Sequence, residues 1–323
     1  VQTRLGPGGE FDLIRRFLSR QGELDPLCIP VGPGDDAAVV DAAPLAISTD
    51  MSVENVHFRR DWLTPQEIGW RAAVGALSDL AAMAAEPVGM LLSLAVPPAD
   101  VPGFAEGVVE GVTAAARLLE APLIGGDVAR CDALAVLDLV VLGRARHPLR
   151  RSGARPGDEL WVTGWLGGAA AAVRDLRAGR TPTDAARERL ARPWPRLAHA
   201  RWLGAVGALT AGIDLSDGIA GDARHLAAAS GVGIVIDEDA LPIDRDAGAD
   251  LDLALTGGED YELCVTARPG ILSPLVDMFT AEFGLPLSRI GEVVEGEEVR
   301  LRAADGSTRP MPRGGYVHFG EIS

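Results

Sequence analysis

Ile213-Asp214-Leu215-Ser216-Asp217-Gly218 runs into the helical pattern Ile219–Ser230 and then into the short apolar run Gly233–Asp237. An apolar stretch, an acidic turn closed by glycine, a helix and a strand follow one another within twenty-five residues (213–237). Outward from this stretch the same alternation continues. Strand-like runs fall at Leu45–Ser48, Val88–Val96, Pro122–Ile124, Ala133–Leu142, Glu159–Thr163 and Tyr261–Thr266. Helical patterns fall at Phe11–Arg20, Pro65–Ala85, Gly103–Leu119, Gly168–Ala178, Ala185–Ala191 and Ile271–Phe283. Short β-branched runs alternating with longer helices predict an α/β (α+β) fold rather than a bundle or a sandwich. Thr64, Pro65 and Glu67 supply an N-cap, a first helical residue and a capping-box partner for the helix from Pro65.

The chain has 323 residues, which suggests two domains. Between Arg144 and Gly157 an apolar strand ends, Arg and Pro cluster, and a new strand begins, so the junction is placed near Arg150, giving domains 1–150 and 151–323. Ser-Asp recurs at Ser78-Asp79 and Ser216-Asp217, and Gly-Gly-acid at Gly125-Gly126-Asp127 and Gly257-Gly258-Glu259, a faint hint of duplication.

Charge narrows the function. Asp plus Glu number 46 against 30 basic residues, a formal net charge of −16, and every one of the 30 is arginine. Without lysine there is no Schiff base and no Walker P-loop. The acid excess argues against direct nucleic-acid binding, and an anionic substrate would need metal ions or local arginines. The three cysteines, Cys28, Cys131 and Cys264, form no disulfide or zinc pattern and point to a reducing cytoplasm. The longest apolar stretch, Ala133–Leu142, is interrupted by Asp138 and is too short for a membrane span of ~18 residues.

Carboxylates border the apolar runs. Asp35 and Asp36 precede Ala37–Val40, Thr49-Asp50 is read as closing the strand at Ile47, Gly125-Gly126-Asp127 as closing the one at Ile124, and Asp214 and Asp217 flank Leu215-Ser216. Each Asp alone reads as a turn residue or helix cap; together they suit a ligand site outside strand ends. Dispersed hard oxygen donors fit Mg²⁺ bridged by substrate phosphates, not an EF-hand. Arg150 and Arg151 serve equally as phosphate contacts or as a solvated pair. Gly164-x-x-Gly167-Gly168 reads as a strand-to-helix turn, whereas Gly125-Gly126 could bring backbone N–H groups to a phosphate. His57, in Val56-His57-Phe58, is the histidine nearest the acids, although a lone histidine is more often structural or on the surface than functional. No nucleophile elbow or Cys-His pair is present, so a covalent intermediate has no evident carrier.

These residues resemble the thiamine-monophosphate kinase family of the aminoimidazole-ribonucleotide-synthetase-like superfamily. The resemblance runs over nearly the whole chain, through Gly34-Asp35-Asp36-Ala37-Ala38, Ser48-Thr49-Asp50, Val56-His57-Phe58, Leu77-Ser78-Asp79-Leu80, Gly125-Gly126-Asp127, Arg151-Ser152-Gly153-Ala154, Ile213–Gly218 and Gly257-Gly258-Glu259-Asp260-Tyr261-Glu262-Leu263. It implies a two-domain fold whose N-terminal sheets pair in a homodimer, with an ATP- and Mg²⁺-binding N-terminal domain and a C-terminal α/β domain that completes the site. It implies ATP-dependent phosphorylation of thiamine monophosphate assisted by several Mg²⁺ ions. The implied Mg²⁺ ligands are Asp36, Ser48, Thr49, Asp50, Asp79, Asp127, Asp214 and Asp217. Nucleotide contacts fall on Gly126, Asp127, Arg151, Ser216 and, as a looser match, Phe104; substrate contacts fall on His57, Glu259 and Tyr316. Asp50, Asp127, Asp217 and Arg151 are the implied catalytic set. Departures from the family pattern are Asn55 and Ala84, where glycine is usual, and Arg71, where lysine is frequent. Other enzymes of the superfamily, aminoimidazole ribonucleotide synthetase, selenophosphate synthetase and a hydrogenase maturation factor, are the near alternatives. The block Gly257–Leu263 favours the thiamine enzyme, and Cys28 lacks the context of a selenophosphate synthetase's reactive cysteine. An acidic protein that only stores or senses cations is the alternative from another class.

Overall fold

The computed structural model describes residues 44–312 together with residues 19, 28, 29, 40, 41 and 314. The helix expected over Phe11–Arg20, apart from Ser19, and the expected site residues Asp36 and Tyr316 lie outside these residues. The chain divides into two compact units, one within Val1–Leu80 and Ala85–His147, the other within Ala81–Ala84 and Pro148–Ser323.

Among the described residues the first unit is a four-stranded sheet backed by two helices. Its described elements are β1 (Leu45–Val53), α1 (Pro65–Ala82), β2 (Glu86–Val96), α2 (Glu106–Leu118), β3 (Leu123–Arg130) and β4 (Val136–Arg144). The sheet order is β1-β4-β2-β3, with β1 and β2 antiparallel to β4 and β3 parallel to β2. α1 starts as its sequence dictates: Thr64 N donates to Glu67 Oε2 at 2.8 Å and Glu67 N donates to Thr64 Oγ1 at 3.3 Å, a reciprocal capping box. Ile68, Val74, Leu77 and Leu80 of α1 are buried, as are the alternate residues Leu137, Leu139 and Val141 of β4. α1 and α2 meet backbone to backbone, since a Cβ on Gly111 would fall 1.9 Å from Gln66 O and one on Gly69 1.9 Å from Val108 O. Asn55 has φ 65°, so the glycine-like turn expected of asparagine is kept; Ala84 adopts φ 51° without that chemical advantage.

Two expected strand ends are corrected. β1 continues to Val53 and β3 to Arg130, so Thr49, Asp50, Gly126 and Asp127 sit within strands and not at their ends. Pairing of β1 with β4 and of β3 with β2 holds these polar residues in strand geometry that their own propensities do not predict.

The second unit comprises β5 (Glu159–Thr163), α3 (Gly168–Arg177), α4 (Asp184–Ala191), α5 (Leu197–Ala205), β6 (Leu209–Leu215), α6 (Ile219–Ser230), β7 (Gly233–Asp237), α7 (Leu251–Thr256), β8 (Glu262–Ala267), α8 (Val276–Phe283), β9 (Leu287–Val294), β10 (Val299–Arg302) and β11 (Thr308–Pro310). Its seven strands are ordered β11-β10-β7-β9-β5-β8-β6, with β10 and β7 the parallel pair. Ala223, Leu226 and Ala227 lie on one face of α6 and share a core with Ile213 and Leu215 of β6 and Ile234 and Ile236 of β7. That packing fixes the Ser216–Gly218 turn at the C-terminal end of β6, where open α/β sheets bind ligands.

Candidate active site

In the first unit the acidic residues pair with hydroxyls. Alternation along β1 sends Ser48 and Asp50 to one face and Thr49 to the other. Ser48 Oγ donates to Asp79 Oδ2 at 2.5 Å, and Thr49 Oγ1 donates to Asp138 Oδ1 at 2.8 Å. Asp79 lies in the last turn of α1, which holds no basic residue; the helix dipole disfavours a carboxylate there, so the position serves something other than helix stability. Asp127 is exposed on β3, opposite Ser93 of β2. Beside it, a Cβ at Gly126 would fall 2.0 Å from Leu92 O, so only glycine allows this approach of the two strands.

After β1 the chain turns through Asn55, and His57 folds back so that its Nδ1 accepts the backbone N–H of Val53 at 3.0 Å. The acceptor role assigns the proton of the neutral ring to Nε2. Arg60 Nη2 donates to Glu54 Oε2 at 2.8 Å, and Arg60 Nη1 lies 2.8 Å from Asp100 Oδ2. Its guanidinium covers the Phe104 ring at 3.8 Å from the centroid. Phe104 is only 8% exposed, so the aromatic face expected to meet a nucleotide is already stacked by an arginine.

In the second unit two loops are bonded together. Ser216-Asp217-Gly218 joins β6 to α6, and Gly257–Tyr261 joins α7 to β8. Glu259 N donates to Ser216 O at 2.7 Å and Tyr261 N to Leu215 O at 2.8 Å. Glu259 and Tyr261 have φ of 69° and 51°, positive values that cost non-glycine residues roughly 1 kcal/mol or more and that cluster at functional sites. Asp214 is buried at the end of β6. Asp222, in the first turn of α6, is 2% exposed, and its Oδ2 accepts the N–H of Asp217 at 3.3 Å. Burial, reinforced by the charges of Asp214 and Asp217, pushes the Asp222 carboxyl up to about 8. Burial likewise raises Asp260 well above the usual carboxylate range, while both its oxygens accept the N–H of Gly167 at 3.0 and 2.9 Å.

The structure thus brings Ser48 to Asp79, and Ser216 and Asp217 to Glu259. Arg151 is placed by its backbone: its carbonyl accepts the Ser230 Oγ hydrogen bond at 2.9 Å at the C-terminal end of α6, and neighbouring Arg150 O accepts the N–H of Gly212 on β6. Among the described residues no three His, Cys, Asp or Glu side chains converge to hold a metal by themselves. The donors present are nonetheless all hard oxygens held singly or in pairs, the set that suits Mg²⁺ when substrate phosphates complete its shell. Sequence reasoning missed Asp138, Arg60 and Asp222. Asp222 had one available signal, an acid in the first turn of the helix that follows Asp217, and Asp138 had another, an acid interrupting the apolar run Ala133–Leu142; Arg60 declares itself only by contact.

The chain matches the AIR synthase related protein family, its N-terminal domain over residues 34–145 and its C-terminal domain over residues 155–304. It is 36% identical to thiamine-monophosphate kinase of Salmonella typhimurium, covering 96% of this chain and 98% of that protein. It is 33% identical to the Bacillus subtilis enzyme of that name, covering 96% and 99%. The chain belongs to the thiamine-monophosphate kinase family. Its fold and kinase class are therefore those the sequence motifs imply. Among solved structures, thiamine-monophosphate kinase from Stenotrophomonas maltophilia superimposes with a TM-score of 0.79 at 36% identity, over 93% of this chain and 97% of that one. AaThiL complexed with AMPPCP and TMP gives 0.76 at 29%, over 96% of each. Hydrogenase maturation protein HypE of E. coli reaches 0.77 at only 21% identity, a likeness of fold alone. Fold therefore does not separate these enzymes; the family's sequence does.

Proposed function

We propose that this chain transfers the γ-phosphoryl group of ATP to the phosphate of thiamine monophosphate, giving thiamine diphosphate and ADP by direct in-line displacement. The observation that carries the reading is the bonding of the Ser216–Asp217 turn to the Glu259 loop, which joins a nucleotide contact to a substrate contact in a chain 36% identical to a thiamine-monophosphate kinase over 96% of its length. The AaThiL complex with AMPPCP and TMP supports the same pair of substrates.

In this reading Asp36, Ser48, Thr49, Asp50, Asp79, Asp127, Asp214 and Asp217 hold Mg²⁺. Gly126, Asp127, Arg151 and Ser216 contact the nucleotide, with Phe104 lending support through the arginine stacked on it. His57, Glu259 and Tyr316 contact thiamine monophosphate, a carboxylate and an aromatic face suiting the thiazolium cation. Asp50, Asp127, Asp217 and Arg151 form the catalytic set. The acceptor is a phosphate monoester, largely dianionic at neutral pH because its second pKa is about 6, so these residues need not include a strong general base. Bound Mg²⁺ supplies charge neutralisation between the two polyanions and alignment of attacking and leaving oxygens. The protein's part is positioning and fixed electrostatics. The first domain carries nucleotide and ion ligands and pairs with a second copy through its sheet, and cytoplasmic residence fits the family chemistry.

Incubation with ATP, Mg²⁺ and thiamine monophosphate, followed by chromatography, is expected to yield thiamine diphosphate, and EDTA is expected to abolish the yield. Asp50→Asn should lower kcat by about 10²-fold or more with the thermal melt unchanged. No product from folded wild-type protein, or turnover that survives EDTA, would overturn the reading.

A further inference from the structure

Asp138 stands where the sheet of the first unit is otherwise largely aliphatic. β4 alternates between buried Leu137, Leu139 and Val141 and a second face of Val136, Asp138, Val140 and Leu142. The strand registers set that face beside Ile47, Thr49 and Met51 of β1 and Leu91, Ser93 and Ala95 of β2. Its direct cross-strand partners are Met51 and Ser93, and on this partly exposed face Asp138 accepts the Thr49 hydroxyl at 2.8 Å. Ser93 pairs with Asp138 on one side and with Asp127 on the other, so the two acids are two strand spacings apart, roughly 10 Å. The Asp138 carboxylate is instead engaged by the Thr49 hydroxyl on the β1 side.

We propose that Asp138 is a positioning residue for the cation site, acting through the Thr49 hydroxyl and not as a ligand. This rests on the phosphoryl-transfer reading, in which Thr49 ligates Mg²⁺. A hydroxyl carries one proton and two acceptor lone pairs. Giving that proton to Asp138 fixes the rotor, directs the lone pairs away from the carboxylate, and makes the oxygen a better donor to a hard cation. Carboxylates that hydrogen-bond to metal ligands act in this way, and their loss typically costs 10–100-fold in metal affinity. Ser48 and Asp79 repeat the hydroxyl-to-carboxylate arrangement on the opposite face of β1.

The test is Mn²⁺ binding to the full chain in the presence of the β,γ-methylene analogue of ATP, with free Mn²⁺ counted by electron paramagnetic resonance. Asp138→Asn, Asp138→Ser and Thr49→Val are each expected to weaken one Mn²⁺ site about 10-fold. The double variant Asp138→Asn with Thr49→Val should bind no more weakly than Thr49→Val alone, because the two residues act as one unit. Ion-free thermal melts and molecular mass should match wild type. The inference is overturned if either Asp138 variant binds Mn²⁺ as wild type does, if the double variant loses the product of the two single factors, or if lost binding simply tracks a lowered melting temperature. Wild-type protein that forms thiamine diphosphate and binds Mn²⁺ leaves such a failure with Asp138 alone. Wild-type protein that does neither overturns the functional reading and this inference with it.

Discussion

His199 shows how far a residue's chemistry depends on what surrounds it. Nothing in the sequence gives it a role, and in α5 it is buried against Phe279 and Phe283, on which Trp202 also packs, with its ring centroid 4.2 Å from that of Phe283. Burial, with the Arg196 charge second, lowers it from 6.5 to about 3. Between those values the unfolded chain binds a proton that the folded chain does not, so this group's contribution to stability is present at neutral pH and is lost as pH falls. Acidification from pH 7 to pH 5 should cost about 2 kcal/mol through this residue. His199→Gln removes the titration, and urea unfolding at the two pH values should show a drop smaller by that amount; an equal drop would show that His199 does not carry it. The same dependence on surroundings explains which site residues were legible. Asp50, Asp79, Asp127, Asp214 and Asp217 stand in motifs, whereas Asp138, seen only as an interruption of an apolar run, and Arg60 gain meaning from partners brought by strand register and by a turn.

At the scale of elements, amphipathic helices and apolar strands were readable where one face dominates. Glu159–Thr163, Gly233–Asp237 and Ile219–Ser230 have the bounds that the pattern predicts. α5, α7, β9, β10 and β11 were missed, and of β6 only the apolar end at Ile213 was read: α7 has six residues and β11 three, too few for a period to emerge. β1 and β3 were cut short because Thr49-Asp50 and Gly125-Gly126-Asp127 look like turn chemistry, and only pairing with β4 and β2 keeps them extended. The crossing of α1 and α2 was invisible for a different reason, since a helical glycine carries no sign of what lies against it. Gly111→Ala would drive a Cβ into Gln66 O and push apart the helices that back the sheet. Overpacking of this kind typically costs 1–3 kcal/mol, so the variant should melt about 2–6 °C lower. Because α1 carries Asp79, which accepts from Ser48, the Mg²⁺ concentration for half-maximal activity should rise as well. An unchanged melt would mean that the helices separate without cost.

For the whole molecule the question is what covers the second face of the first unit's sheet. Ile47 is 63% exposed and Met51 54% exposed on an antiparallel strand; Ile47 stands beside Leu142 of β4 and Met51 beside Asp138, and the row between them runs from Thr49 through Val140 of β4 to Leu91 of β2. The other face is closed by the buried side chains beneath α1 and α2, so the aliphatic row has no partner element among the described residues of its own unit. Contiguous exposed apolar surface on an acidic chain of net charge −16 calls for an apolar partner, and a second copy brings the identical face with the self-complementarity of a two-fold interface. Like charge opposes such pairing only weakly at ordinary ionic strength, where charges more than about 10 Å apart are screened. Light scattering after gel filtration should therefore give twice the 33.7 kDa chain mass. Met51→Glu would bury an unpaired charge from each copy in such an interface, which should yield folded monomers with an unchanged circular-dichroism spectrum. Residual dimer in that variant would move the interface off this face, and a wild-type monomer would remove it altogether.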